Sequence, residues 1–131
     1  MTPADWSVRV YYEDTDAGGV VYHASYLCYL ERARTEWLRA LGYSQARLKQ
    51  EESLVFTVVG MTLDFLKPAR LDDLLSVRSH VRLAGGASVE FEQEILRDAD
   101  RILAATVRVA CLDAASFRPR RLPDALRGSL E

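Results

Sequence analysis

The sequence predicts an α+β fold in which one long helix is wrapped by a curved antiparallel sheet of about five strands. One segment has the periodicity of an amphipathic helix, and the segments around it alternate apolar and polar residues with the period of a strand. Turn-forming residues separate the later strands at hairpin spacing, and strands joined by hairpins pair antiparallel. A sheet with a single covering helix must bury its apolar face on that helix.

The individual elements follow from local patterns. Residues 6–12 alternate as a half-buried strand, and apolar residues between 23 and 41 recur at spacings of three and four. Gly42 then ends this helix, and Ser44 caps a short helix through about residue 50. Four more strands are predicted at 55–65, 74–83, 88–96 and 102–112, followed by a basic tail with a short helix.

A single helix wrapped by one curved antiparallel sheet is the hotdog arrangement. The length of 131 residues suits one domain over 1–131, and the chain has no repeat or linker. Such a sheet leaves an edge and an outer face that invite a second subunit. We therefore expect a homodimer or homotetramer.

Composition argues against several classes of function. The net charge of -2 gives no overall attraction to nucleic acid or to an anionic membrane. No apolar run approaches the roughly 20 residues of a membrane-spanning helix, and the N-terminus lacks the apolar core of a signal peptide. Cys28 and Cys111 stand far apart and in no metal-ligand spacing, which suits a reducing compartment. The expectation is a cytoplasmic protein without metal or cofactor.

The stretch between the first strand and the long helix contains the candidate catalytic residues. It contains three carboxylates and then two glycines: Glu13, Asp14, Asp16, Gly18 and Gly19. Glycine permits close approach of a ligand to the backbone, and the free N–H groups of a helix start stabilise an oxyanion. An acid beside such donors has the layout for acyl transfer. The same residue types also serve as an ordinary turn and helix cap.

The stretch from Val8 to Tyr26 resembles the signature of the 4-hydroxybenzoyl-CoA thioesterase family. The resemblance is strongest to the bacterial acyl-CoA thioesterases associated with the tol-pal system (YbgC-like). It rests on a Thr-Asp-x-x-Gly-x-Val core that begins at Thr15, and on matching sequence at 29–36, 61–62, 68–73 and 118–123. The similarity covers nearly the whole chain in register.

This resemblance implies a thioesterase that hydrolyses a short- or medium-chain acyl-CoA, with acyl-carrier protein as a second candidate carrier. Asp16 matches the essential carboxylate, which attacks the thioester directly or acts as a general base on water. The backbone near Tyr22 and His23 would supply the oxyanion donor, and His23 matches the assisting histidine of the YbgC-like branch. The implied substrate-binding residues are Gly18, Gly19, Val20 and Tyr26.

Two alternatives stay open at this point. A hydratase of the same fold uses an Asp-x4-His pattern, whereas Asp16 and His23 lie seven residues apart. A non-catalytic binding module would retain acyl-CoA and release no thiol. No GxSxG motif surrounds Ser25 and no HExxH motif occurs, so neither a serine hydrolase nor a zinc site is predicted. The candidate arginines for the CoA phosphates are Arg82, Arg97, Arg108, Arg118, Arg120 and Arg121.

Overall fold

The structure, a computed structural model, describes residues 5–130. The strands are β1 (Trp6–Arg9), β2 (Leu54–Phe65), β3 (Leu74–Gly85), β4 (Ser88–Arg97) and β5 (Asp100–Asp113). The helices are α1 (His23–Ala40), α2 (Gln45–Glu52) and α3 (Asp124–Leu130). The predicted α+β fold, with one long helix and five strands, is confirmed.

The five strands form one sheet in the order β1-β3-β4-β5-β2, and all neighbours are antiparallel. β3, β4 and β5 follow one another through short turns, as the hairpin spacing predicts. The short β1 and the long β2 are the two edges. β2 carries a bulge between Val58 and Gly60, which raises the local twist of that edge.

α1 packs into the concave face of the sheet along the stripe that its periodicity predicts. Its first half contributes Tyr26, Tyr29 and Leu30 to a core cluster with residues of β3 and β5. Its second half contributes Trp37 and Leu38 to another cluster with β4, β5 and α3. The helix therefore separates two environments within one sheet.

The first strand is shorter than predicted. It ends at Arg9, and residues Tyr12–Asp14 form a single 3₁₀ turn. The Asp14 carboxylate accepts a hydrogen bond from the Tyr11 N–H at 2.8 Å, which favours the turn over an extended chain. The alternating pattern of residues 10–12 was therefore overridden by a local side-chain hydrogen bond.

The ends of the helices follow the predicted signals. Gly42 has a φ of +96° just past α1, a conformation that glycine adopts without steric cost. The Ser44 side chain accepts the Arg47 N–H at the start of α2. Among the three described helices, none combines the length and the apolar character needed to cross a membrane.

Candidate active site

The loop before α1 is folded as a small hairpin. Thr15 and Val21 pair as an antiparallel bridge, and the Asp16 N–H donates to the Val20 carbonyl at 2.9 Å. The Gly19 N–H closes the turn onto the Asp16 carbonyl at 3.0 Å. Gly19 has a φ of +80°, which side-chain-bearing residues rarely adopt. The backbone thus fixes Asp16 at the base of a tight turn.

The carboxylate of Asp16 is held through one oxygen only. Its Oδ1 accepts the Gly18 N–H at 2.8 Å, and a Cβ at position 18 would lie 3.1 Å from this oxygen. Within residues 5–130, Oδ2 has no hydrogen-bond partner, and the residue is exposed. One oxygen therefore orients the side chain while the other is open to solvent.

The hairpin is also tied to its neighbours. The Val21 N–H donates to the Ala69 carbonyl at 2.8 Å, and Val20 pairs with Arg70 as an isolated bridge. The Ala69 N–H in turn donates to the buried hydroxyl of Tyr26 at 3.1 Å. The loop, the segment after β2 and the first turn of α1 therefore form one connected unit.

Asp14 supports this unit from the other side. Its carbonyl accepts the Tyr22 N–H at 2.8 Å, and its carboxylate accepts the Tyr11 N–H. The neighbouring Tyr29 hydroxyl is buried, and its pKa is raised mainly by burial and then by the Asp14 carboxylate. No described residue meets hydrogen-bond geometry with that hydroxyl. The backbone carbonyl and the side-chain carboxylate of Asp14 thus both hold the loop in place. The sequence pattern alone did not distinguish Asp14 from Asp16.

The start of α1 offers free backbone donors, although not at Tyr22. Tyr22 is the N-cap and provides no side-chain cap, and its own N–H is taken by Asp14. In the described part of the chain, the N–H groups of His23 and Ala24 have no acceptor. An uncapped helix start carries a partial positive charge and binds anions. The available donors lie one and two residues beyond Tyr22.

His23 and Tyr26 line a cavity of about 290 Å³ beside this helix start. The other lining residues are Val21, Phe65, Leu66, Lys67 and Pro68. His23 is exposed, and its ring centroid lies 4.4 Å from that of Tyr22. Tyr26 is buried and forms a fixed wall, and burial raises the pKa of its hydroxyl.

The structure brings only some of the predicted site residues to this cavity. His23 and Tyr26 line it, whereas Asp16, Gly18, Gly19 and Val20 lie in the adjoining hairpin and are absent from its wall. All four precede the free donors of α1 in sequence, and the hairpin is tied to the first turn of that helix through Val21, Ala69 and Tyr26.

Four of the candidate arginines for CoA phosphates are engaged within the chain. Arg97 donates to Asp73 at 2.8 Å and to the Pro68 carbonyl at 3.2 Å. Burial raises the pKa of Asp73, but its hydrogen bonds from Arg70 N–H and Arg97 bring that pKa below the ordinary value. Arg82 donates to Glu90, and Arg120 donates to the Glu52 carbonyl. Arg121 forms an ion pair with Asp124 at 3.7 Å.

Comparison with known proteins identifies the family. The sequence matches the thioesterase-like superfamily over residues 10–130. The acyl-CoA thioesterase YbgC of Haemophilus influenzae is 48% identical over 122 residues, which cover 93% of this chain and 90% of that protein. The chain belongs to the thioesterase-like superfamily. The predicted YbgC-like resemblance and the predicted class of enzyme, a thioesterase, are confirmed.

Solved structures agree with the fold of this thioesterase. A probable thioesterase from Bartonella henselae matches with a TM-score of 0.87 and 39% identity, and covers 92% of this chain and 98% of that one. A 1,4-dihydroxy-2-naphthoyl-CoA thioesterase from Synechocystis matches with a TM-score of 0.90 over 96% of this chain and 93% of that one. At 23% identity, the second likeness shows the fold alone. The predicted hotdog fold is confirmed.

Proposed function

We propose that this thioesterase hydrolyses acyl-CoA to a free acid and CoA, and that Asp16 performs or directs the attack. The observation that carries the proposal is the hairpin, which holds a carboxylate with one free oxygen in the loop that leads into two unpaired N–H groups at the start of α1. The name of the 48% identical relative, an acyl-CoA thioesterase, supports the choice of substrate class.

In this mechanism the thioester carbonyl oxygen accepts hydrogen bonds from the N–H groups of His23 and Ala24. Either the free oxygen of Asp16 or a water that it deprotonates adds to the carbonyl carbon. Collapse of the tetrahedral intermediate breaks the C–S bond, and the thiolate of CoA takes up a proton. In the nucleophilic route, water then hydrolyses the mixed anhydride and restores the carboxylate. Each oxyanion donor contributes about 3 kcal/mol to the transition state.

The cavity beside the helix start is the proposed place for the reacting end of the acyl group. Val21, Phe65 and Leu66 supply apolar surface, and His23 supplies a polar group. The family resemblance, rather than the size of this open pocket, is the basis for proposing a short- or medium-chain acyl group. Glycine at 18 and 19 keeps side chains away from the hairpin, so that the thioester can approach Asp16.

Release of free thiol from a panel of acyl-CoAs tests the proposal. We expect the wild type to turn over, and folded Asp16→Asn and Asp16→Ala to be slower by about a hundredfold or more. Glu13→Gln is the matched control, because it removes an exposed carboxylate three residues away without touching the hairpin bonds. Circular dichroism checks that each variant is folded.

Two outcomes would contradict this proposal. Binding of acyl-CoA without thiol release would favour the non-catalytic binding module. Full activity in the Asp16 variants would show that a group other than Asp16 attacks the thioester or activates the water. Repeating the assay with acyl groups on acyl-carrier protein tests the second carrier.

A cytoplasmic setting is proposed because both Cys28 and Cys111 are free thiols.

We also propose that the enzyme acts as a homodimer, or as a homotetramer of two such dimers, joined through the edge of β2. This edge strand has twelve residues and exposes Val58, Val59 and Phe65 by 44%, 56% and 54%. A long apolar edge normally pairs with another chain. Light scattering should give at least twice the monomer mass, and Val59→Lys should weaken association about tenfold or more. Leu74→Lys, at an equally exposed position near the other edge, should leave the mass unchanged.

A further inference from the structure

A second cavity, of about 120 Å³, lies along the other half of α1, between this helix, the inner face of the sheet and α3. Its wall is mainly apolar and includes Trp37, Leu38, Phe56, Phe91 and Leu126. Its polar wall is formed by Glu31, Arg34, Thr35 and Gln45, and Arg34 lies about 16 Å along the helix from His23 at the usual rise per residue. A closed cavity of about 150 Å³ binds benzene. This cavity is smaller but is open to solvent on one side, so it can take part of a small organic group while the rest lies toward solvent.

The position of Arg34 is fixed by a buried hydrogen-bond network. Its Nη1 donates to the side-chain oxygen of Gln93 at 3.1 Å. The amide nitrogen of Gln93 donates to the Leu30 carbonyl at 3.2 Å and to the Ser79 hydroxyl at 3.0 Å. Because both donors of this amide are used, its oxygen must face Arg34. Gln93 is only 3% exposed, so the arrangement is rigid.

The charge of Arg34 has no carboxylate partner in contact. In the described residues its only hydrogen-bond partner is Gln93, and it forms no ion pair. Burial lowers its pKa, and the nearby Glu31 carboxylate raises that pKa by less. Glu31 instead accepts the Thr35 hydroxyl at 3.0 Å, which itself accepts the Gln45 amide at 2.9 Å. A partly buried guanidinium with spare donors therefore borders an apolar cavity.

We propose that this cavity binds a small organic carboxylate, with its apolar body against Trp37 and Phe91 and its carboxylate on Arg34. Guanidinium groups bind carboxylates through paired, charge-assisted hydrogen bonds. Burying the part of the apolar body that enters the cavity adds hydrophobic free energy that a simple inorganic anion would lack. The free acid that the proposed reaction releases is of this chemical class. That connection rests on the proposed function, whereas the binding site does not.

Fluorescence of Trp37 gives a direct readout of occupancy. The chain has two tryptophans, so Trp6→Phe leaves Trp37 as the only one. Benzoate and its neutral analogue benzamide are titrated into this variant. We expect a saturable change in the emission of Trp37, with benzoate binding about tenfold more tightly than benzamide.

Variants on α1 test whether Arg34 supplies the preference. Arg34→Met should abolish the difference between benzoate and benzamide, and Arg34→Lys should retain part of it because the charge remains. Arg32→Met removes an exposed cation from the same helix and should keep the full preference. Circular dichroism confirms folding of each variant.

The proposal is overturned if the Trp6→Phe protein shows no saturable change, or if benzoate and benzamide bind to it equally. It is also overturned if folded Arg34→Met keeps the preference for benzoate. The readout is binding of a free acid and needs no turnover. An inactive enzyme that still binds benzoate through Arg34 would contradict the proposed function alone, and an active enzyme that does not bind it would contradict this site alone.

Discussion

Before the N-terminal end of α1 the Asp16 carboxylate is exposed and held by the backbone, whereas in the second half of this helix the Arg34 guanidinium is partly buried and held by a side chain. Asp16 is oriented by the N–H of Gly18 and faces solvent. Arg34 is oriented by Gln93 and borders a largely apolar cavity. Backbone donors can fix a reactive group without covering it, which keeps the group accessible to substrate and water.

The two arrangements fail in different ways. A buried side-chain network carries a desolvation cost, so removing one partner leaves the others unsatisfied and destabilises the fold. A loop held by its backbone is sensitive to conformation instead, because a small rotation of φ moves the carboxylate. Damage to the first half should therefore appear mainly in the rate of reaction, and damage to the second half mainly in stability.

The pair Gly19 and Gly42 gives the largest expected difference between the two ends. Both have a left-handed φ, of +80° and +96°, and a Cβ would meet nothing within 4 Å at either position. Alanine should thus cost about 1–2 kcal/mol of stability at each. Gly19→Ala should in addition lower kcat/KM by roughly ten- to a hundredfold, because relief of the strain displaces the turn that holds Asp16.

Thermal denaturation and thiol release on the same preparations separate the two effects. Gly42→Ala is the control for backbone strain alone and should keep its kcat/KM while it is folded. Equal losses of kcat/KM in the two variants would show that the hairpin has no special role in positioning Asp16. Unchanged stability in both would mean that neither glycine is needed for its backbone conformation.

The fold could be predicted because its signals are local. The apolar stripe on α1 and the glycine just past its end can be recognised from neighbouring residues in the sequence. The same holds for the hairpin turns between β3, β4 and β5. The first strand was predicted too long because its alternation continues through Val10 to Tyr12. A single hydrogen bond from the Tyr11 N–H to Asp14 redirected the chain there.

The candidate site was only partly predictable. The cluster of carboxylates and glycines marked this loop as the candidate, but the pattern could not show that Asp14 is committed to structure while one oxygen of Asp16 is free. Nor could it show that Tyr22 N–H is occupied, since that bond depends on how the hairpin closes. Roles within a loop depend on backbone direction, which residue type alone does not specify.

Gln93, which lies in β4 against the second half of α1, shows the same limit and gives a smaller expected effect. The alternation of β4 placed Gln93 on the apolar face, beside Phe91 and Ile95, but its partners Arg34 and Ser79 are 59 and 14 residues away. Gln93→Leu conserves much of the volume and removes all three hydrogen bonds of the amide. We expect a loss of about 1–3 kcal/mol in the free energy of unfolding, measured by urea denaturation.

A double variant decides whether this loss comes from an unsatisfied cation or from poor packing. If the Arg34 guanidinium is the group left without a partner, adding Arg34→Met to Gln93→Leu should restore part of the stability. Ser79→Ala, which removes only one acceptor of the same amide, should cost less than Gln93→Leu. Strictly additive losses in the double variant would instead mean that Gln93 acts through packing alone. In that case, the packing of side chains, rather than the hydrogen bonds of Gln93, would stabilise the contact between the second half of α1 and the sheet.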